Sequence, residues 1–243
     1  MSTRMRADRL LVERGLFESR TKAQAAIAAG QVSADGAPVA KPSDEVATDA
    51  VLSATPAHPW VSRGGVKLAA ALQHFGFDPA GAICLDVGAS TGGFTEVLLA
   101  RGARRVHALD VGRGQLHERL RARPEVVSLE ATDIRKLDPA SLPEPPDILT
   151  VDVSFIPLKL VLPAALALAR PKARLIALIK PQFEAGPDHV KKGIVRDPAI
   201  HAVVCEQATA LVASLGWTVA GIIPSPIAGG DGNAEFLLGA SRD

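Results

Sequence analysis

Asp86-Val87-Gly88-Ala89-Ser90-Thr91-Gly92-Gly93-Phe94 is the most telling segment of this 243-residue chain. It closes an apolar run, 82–87, and opens a stretch of helical periodicity, 91–101. Glycines at such a junction let the backbone approach a ligand, and the helix that follows offers free amides. On either side of it the rhythm continues, with further apolar runs at 106–110, 126–130, 148–152, 175–180, 218–224 and 235–239. Helical stretches lie between them at 115–122, 158–169 and 199–215. Apolar strands alternating with helices predict a parallel, doubly wound α/β sheet of Rossmann-like type, with its ligand beyond the strand C-termini. The loop 225–234 is short for a crossover, so the last two strands should form an antiparallel pair at the sheet edge, with the last of the seven reversed.

The loop's residues narrow the ligand. A dinucleotide fingerprint needs Gly-x-Gly-x-x-Gly, and Ser90 stands where its middle glycine would be. A carboxylate just before the loop, Asp86, sits badly beside a pyrophosphate but suits a cation such as S-adenosyl-L-methionine. Gly88, Ser90, Thr91, Gly92, Gly93 and Phe94 are then candidate cofactor contacts. Asp110, roughly 20 residues on, has the spacing of a ribose-holding acid. Asp133 follows the third strand, where a carboxylate can accept from an adenine amine. The alternative is a tight glycine turn without a ligand.

Residues 1–55 read differently. Ser19 can cap a helix that carries Ala23, Ala26 and Ile27 and stops at Gly30, and Asp35-Gly36 is a hairpin-turn dipeptide. This is a small α+β domain joined by a proline-bearing linker, 56–61, to a larger domain, 62–243. The chain holds 27 Lys+Arg against 26 Asp+Glu, a net charge of +1, so no global nucleic-acid signal exists. The distribution is uneven, however. Arg4, Arg6, Arg9, Arg14, Arg20 and Lys22 crowd the first segment, while Asp35, Asp44, Glu45 and Asp49 follow. A basic face with an acidic edge fits a module that binds a polyanion; charge alone favours a solvated helix surface.

A second constellation is scattered: Lys67, Asp152, Lys180 and Glu235. Asp152 and Lys180 each end an apolar strand on the rim of the glycine loop, where charges rarely lie without a partner or a task. A structural Asp152–Lys180 ion pair is the alternative. The six histidines lack ligand spacing and the two cysteines form no Cys-x-x-Cys pair, so no metal is expected. No window approaches the ~18 apolar residues of a membrane span. The opening residues lack an apolar segment with a cleavage site, so a cytoplasmic protein is expected.

Residues 60–240 resemble FtsJ-type ribose methyltransferases, and the whole chain is similar to their TlyA (hemolysin A-like) branch. The resemblance rests on Val61-Ser62-Arg63-Gly64-Gly65, the Asp86–Phe94 loop and Asp110-Val111-Gly112-Arg113-Gly114-Gln115-Leu116. It continues through Asp152-Val153-Ser154-Phe155-Ile156, Lys180-Pro181-Gln182-Phe183-Glu184-Ala185-Gly186, Ser225-Pro226-Ile227 and Gly232-Asn233-Ala234-Glu235-Phe236-Leu237. The first ~60 residues resemble the RNA-binding fold named after ribosomal small-subunit protein four. The resemblance implies methylation of cytidine ribose 2′-hydroxyls in ribosomal RNA, with ribosomal RNA or ribosomal subunits as partners. It also implies that Lys67, Asp152, Lys180 and Glu235 are the catalytic set. Arg4, Arg6, Arg9, Arg20, Lys22 and Arg63 are the residues expected on the RNA. Asp133 departs from the family pattern, where Asn is expected.

The chemistry agrees with that assignment. A ribose hydroxyl is scarcely ionised at pH 7, and two lysines brought together repel as cations, so one can lose its proton near neutrality. Lys180 is then the proton acceptor, with Asp152 tuning it and Lys67 and Glu235 orienting the ribose. Seven Phe, two Trp and no Tyr argue against a platform of many stacked bases. Recognition by backbone charge and RNA shape is expected, with the target nucleotide turned out of its stack. A catalytically inactive RNA-binding protein and a membrane-active hemolysin are the competing classes.

Overall fold

A computed structural model describes residues 3–229 and 232–243, so part of the 225–234 loop lies outside the described residues. The chain divides into two compact units, Met1–Pro59 and Trp60–Asp243.

In the first unit, β1 (Arg4–Arg6) runs into α1 (Ala7–Glu13), and α2 (Arg20–Ala28) follows. Ser19 caps α2 by accepting from the Lys22 amide at 3.3 Å, and Gly30, at φ 69°, lies just past its end. Next come β2 (Val32–Ala34), β3 (Ala37–Pro38), β4 (Glu45–Ala47) and β5 (Leu52–Ala54). Asp35 and Gly36 both take positive φ, the primed turn that matches strand twist in a two-residue hairpin. β4 pairs antiparallel with β1, and β5 pairs with β2. These short strands carry too few residues for a periodic signal. Leu10, Leu11, Ala23, Ala26, Ile27 and Val32 form the core between helices and strands.

The second unit holds a seven-stranded sheet: β6 (Ile83–Val87), β7 (Arg105–Leu109), β8 (Val126–Leu129), β9 (Ile148–Val151), β10 (Ala173–Ile179), β11 (Thr218–Pro224) and β12 (Phe236–Arg242). Their order is β11-β12-β10-β9-β6-β7-β8. β12 alone is reversed, lying antiparallel between β10 and β11. The helices are α3 (Gly64–Phe75), α4 (Gly93–Ala100), α5 (Glu118–Arg121), α6 (Leu158–Ala167), α7 (Pro181–Glu184) and α8 (Pro198–Ser214).

Strand alternation sends side chains to both faces. Leu85, Val87, Leu149 and Val151 pack with Leu162 and Val204 of α6 and α8. Cys84, Val106, Ile148 and Ile176 pack with Leu68, Leu72 and Leu98 of α3 and α4. Two covered faces explain why the strands read as continuous apolar runs.

Two elements differ from expectation. The helix expected over 115–122 shrinks to α5, because Glu130 accepts the backbone amides of Gln115 and Leu116 and holds that stretch as a loop. α3 is not announced by the alternating pattern, because Gly64-Gly65 at its start reads as a turn. Among the described residues, no helix is long and apolar enough to cross a membrane.

Candidate active site

The register of the sheet builds the site. Val87 of β6 lies opposite Val151 of β9, and Val151 lies opposite Ala177 of β10. Gly88, Asp152 and Lys180 therefore leave the sheet on one rim. Because β12 is reversed, its beginning meets that same rim. Phe236 pairs with Ile179, so Glu235 arrives beside Lys180.

At the loop, Gly88 takes φ 86°, and a Cβ there would lie 2.3 Å from the Asp152 carbonyl oxygen. Two strand ends touch through bare backbone, which only glycine permits. Ser90, in the place of the fingerprint's middle glycine, also takes a left-handed φ of 47°. That conformation costs a side-chain-bearing residue about 1–2 kcal/mol. Asp110 Oδ2 holds it there by accepting the Ser90 amide at 2.8 Å, and Asp110 Oδ1 accepts the Gly112 amide at 2.7 Å.

Two adjoining cavities open on this rim. The first, about 370 Å³, is lined by Gly88, Ser90, Asp110, Asp133, Asp152 and Phe155 among others. The second, about 300 Å³, shares Gly88, Ser90, Asp152 and Ser154 with it and adds Arg63, Lys67, Thr91, Gly93, Phe94 and Lys180. Gly92 lines neither; its φ of 98° starts α4.

Asp86, expected to face a cationic cofactor, lines neither cavity and is fully buried. Thr95 donates to its Oδ2 at 2.7 Å and Thr150 donates to its Oδ1 at 2.9 Å, which ties β6 to α4 and β9. Burial raises its carboxyl to about 6, although both threonines oppose the shift. Asp133 does reach the first cavity, but its carboxylate is forked by Arg135 at 2.6–3.1 Å. The Arg135 bonds hold its pKa down near 2, so it is an anion already paired.

The four scattered charges meet as two ion pairs. Lys67, from α3, pairs with Glu235, and both are buried. Lys180 Nζ lies 2.6 Å from Asp152 Oδ1 and donates to Ser154 Oγ at 2.9 Å. The Lys180–Asp152 contact is ionic rather than a directed hydrogen bond, since Asp152 Oδ1 accepts none among the described residues. Each ammonium therefore has a carboxylate partner, because each lysine is seated beside an acid from another segment. Both lysines line the second cavity.

In the first unit, Arg6 and Arg20 converge on Asp8, Lys22 pairs with Glu18, Arg4 reaches the Glu45 carbonyl, and Arg9 is exposed. The sequence offered no role for Phe155 or Ser154. Phe155 is 90% exposed with φ 64°, strained for an aromatic residue, and its ring stands 5.0 Å from that of Phe183. A lone aromatic just past a strand-ending acid was the available signal.

Known proteins share both the fold and its two-unit organisation. Residues 60–242 match the FtsJ-like methyltransferase model, and residues 5–52 match the S4 domain. The 16S/23S rRNA (cytidine-2'-O)-methyltransferase TlyA of Mycobacterium tuberculosis is 45% identical, over 98% of this chain and 90% of its own. Hemolysin A of Brachyspira hyodysenteriae is 37% identical, over 96% of this chain and 98% of its own. A solved hemolysin-named protein from Streptococcus thermophilus has a TM-score of 0.78 and 39% identity, covering 100% of this chain and 90% of that one.

Proposed function

The chain belongs to the FtsJ-like methyltransferase family, in its TlyA branch with an S4 domain, and we propose on that footing that it methylates cytidine ribose 2′-hydroxyls in ribosomal RNA. The observation that carries the reading is that Lys67 and Lys180, each paired with a carboxylate, line one cavity together with the glycine loop.

The first cavity suits S-adenosylmethionine by its chemistry. Carboxylates of Asp110, Asp133 and Asp152 line it, and the missing Cβ at Gly88 lets a ligand approach bare backbone. Asp110 would hold the ribose hydroxyls of the cofactor, and Asp133, with Ile134 and Arg135 beside it in the lining, would border the adenine. When bound, the cofactor supplies a methyl group on a positively charged sulfur, which leaves as a neutral thioether as the new oxygen–carbon bond forms.

The chain's own residues do the rest. Phe155 and Phe183 offer a surface on which a turned-out base stacks at the mouth of the site. Lys67, held by Glu235, hydrogen-bonds the ribose oxygen, and Arg63 faces the adjoining phosphate. Lys180 Nζ, steered by Asp152 and Ser154, takes the hydroxyl proton once it has itself given one up to solvent. Alignment supplies the rate here, since an in-line displacement needs the oxygen placed within near-attack distance. Residues 1–55 grip the RNA, 56–61 link, and 62–243 carry the chemistry. Ribosomal subunits in the cytoplasm are the proposed substrate.

The test is site-resolved mapping of 2′-O-methylation on ribosomal RNA incubated with purified protein and cofactor. Wild type should methylate cytidine riboses; a folded Lys180→Ala protein should bind cofactor by calorimetry yet transfer nothing. Near-normal transfer by that variant, or methyl groups found on bases, would overturn the proposal.

A further inference from the structure

Asp8 is the second residue of α1 and is fully buried. A carboxylate taken out of water is costly unless it is paired and hydrogen-bonded. Asp8 is oversupplied. Arg6 donates to it through Nε and Nη2 at 3.1 Å each, Arg20 through Nε at 3.3 Å and Nη2 at 2.7 Å, and Gln24 through Nε2 at 2.8 Å. The bond from Arg6 leads in holding the Asp8 carboxyl far below the usual range, so it stays an anion. Two guanidiniums converge on it, from the end of β1 and the start of α2, and the Glu45 carboxylate, on the strand residue paired with Arg6, also acts on Arg6. Their side chains remain 42% and 54% exposed, and the bonds to Asp8 leave the Nη1 group of each available. Arg4, two residues from Arg6 along β1, points to the same face of the strand and reaches the carbonyl of Glu45, the residue paired with Arg6.

We infer that Asp8 is a positioning residue for RNA: its buried carboxylate locks Arg6 and Arg20 into a two-guanidinium cradle for one backbone phosphate. The inference rests on the reading that the S4 unit binds RNA. With the Nε/Nη2 edge of each guanidinium held by Asp8, the outward Nη1 ends of the two can meet one phosphate together, and pre-set donors lose less freedom on binding than free ones. The acid thus strengthens a polyanion site despite its own negative charge.

That reversal of sign makes the test sharp. Binding of full-length protein to purified bacterial ribosomal subunits is measured against salt, with melting temperature and cofactor affinity as folding controls. Asp8→Asn removes a negative charge, so a merely electrostatic or cross-linking role predicts equal or tighter binding. The cradle predicts binding weakened about tenfold, with the log–log salt slope shallower by roughly 0.7–0.9, the share of one phosphate that is no longer neutralised. Arg20→Lys keeps the charge but loses the fork, and should weaken binding several-fold without unfolding. Unchanged or tighter binding by folded Asp8→Asn overturns the proposal; if that variant does not fold, unchanged binding by Arg20→Lys does so. The surface reversal Arg4→Glu with Arg9→Glu separates the two levels. If it binds as wild type, the S4 unit does not grip RNA and both readings fall. If it loses binding while Asp8→Asn and Arg20→Lys do not, only the cradle fails.

Discussion

Replacing Asp86 by Asn probes why a buried acid sits at the base of the cofactor loop. In the fold its carboxyl is held at about 6, against an ordinary value of 3.8, chiefly by burial. The sign follows from which state binds the proton. Below about pH 4 both states are protonated, and Asp86 makes no difference. Between about pH 4 and 6 the unfolded chain ionises while the folded one keeps its proton, so folding stability falls as pH rises. The full loss, at ~1.36 kcal/mol per tenfold, is about 3 kcal/mol by pH 7. Asp86→Asn lacks this titration but keeps an oxygen for one threonine hydroxyl. Whatever the amide itself costs, the stability of the variant relative to wild type should rise by about 3 kcal/mol from low to neutral pH. More than about 1 kcal/mol of that rise falls between pH 5 and 7. Urea unfolding followed by tryptophan fluorescence at a series of pH values measures it. A gap that does not change with pH, or that narrows, refutes the reasoning. Asp86 would then titrate no higher in the fold than in the unfolded chain.

Asp110→Ala removes the acceptor for the Ser90 and Gly112 amides as well as the candidate ribose contact, and cofactor binding should weaken by about 1.5–3 kcal/mol. Unchanged calorimetric affinity in folded protein would remove Asp110 from the site. Gly88→Ala places a methyl group 2.3 Å from the Asp152 carbonyl at a left-handed φ, so the melting temperature and cofactor affinity should fall together; full cofactor affinity would show that the two strand ends can part freely. His107 is buried in β7 with neither ring nitrogen hydrogen-bonded among the described residues, and burial, its leading cause, lowers its pKa. A base held neutral in the fold costs stability as pH falls below its unfolded value of ~6.5. His107→Leu should flatten that acid limb in the same urea series, and an unaltered limb would assign it to other groups.

The parallel sheet was legible from residue order. Strands buried on both faces show as unbroken apolar runs, and the glycine loop after 82–87 marks where a ligand meets the strand ends. Ser19, Gly30 and Asp35-Gly36 announced the small unit's helix start, helix stop and hairpin turn because each acts on its own backbone. These signals are local, and a one-dimensional pattern carries them. The pairings came from folding in three dimensions. Lys67 and Glu235 are 168 residues apart, and they meet because reversed β12 begins on the rim where β10 ends. Which acid each lysine takes depends on register and on separations of a few ångströms, which no spacing encodes. The same holds for Asp86, whose two hydroxyl partners come from α4 and β9, and for Phe155, whose exposure depends on a left-handed backbone at a strand end. Arg6 and Arg20 read only as members of a basic face until the fold placed both against a buried Asp8. Residue type told which chemistry was available; packing chose the partners, because ion pairs and hydrogen bonds form across space rather than along the chain.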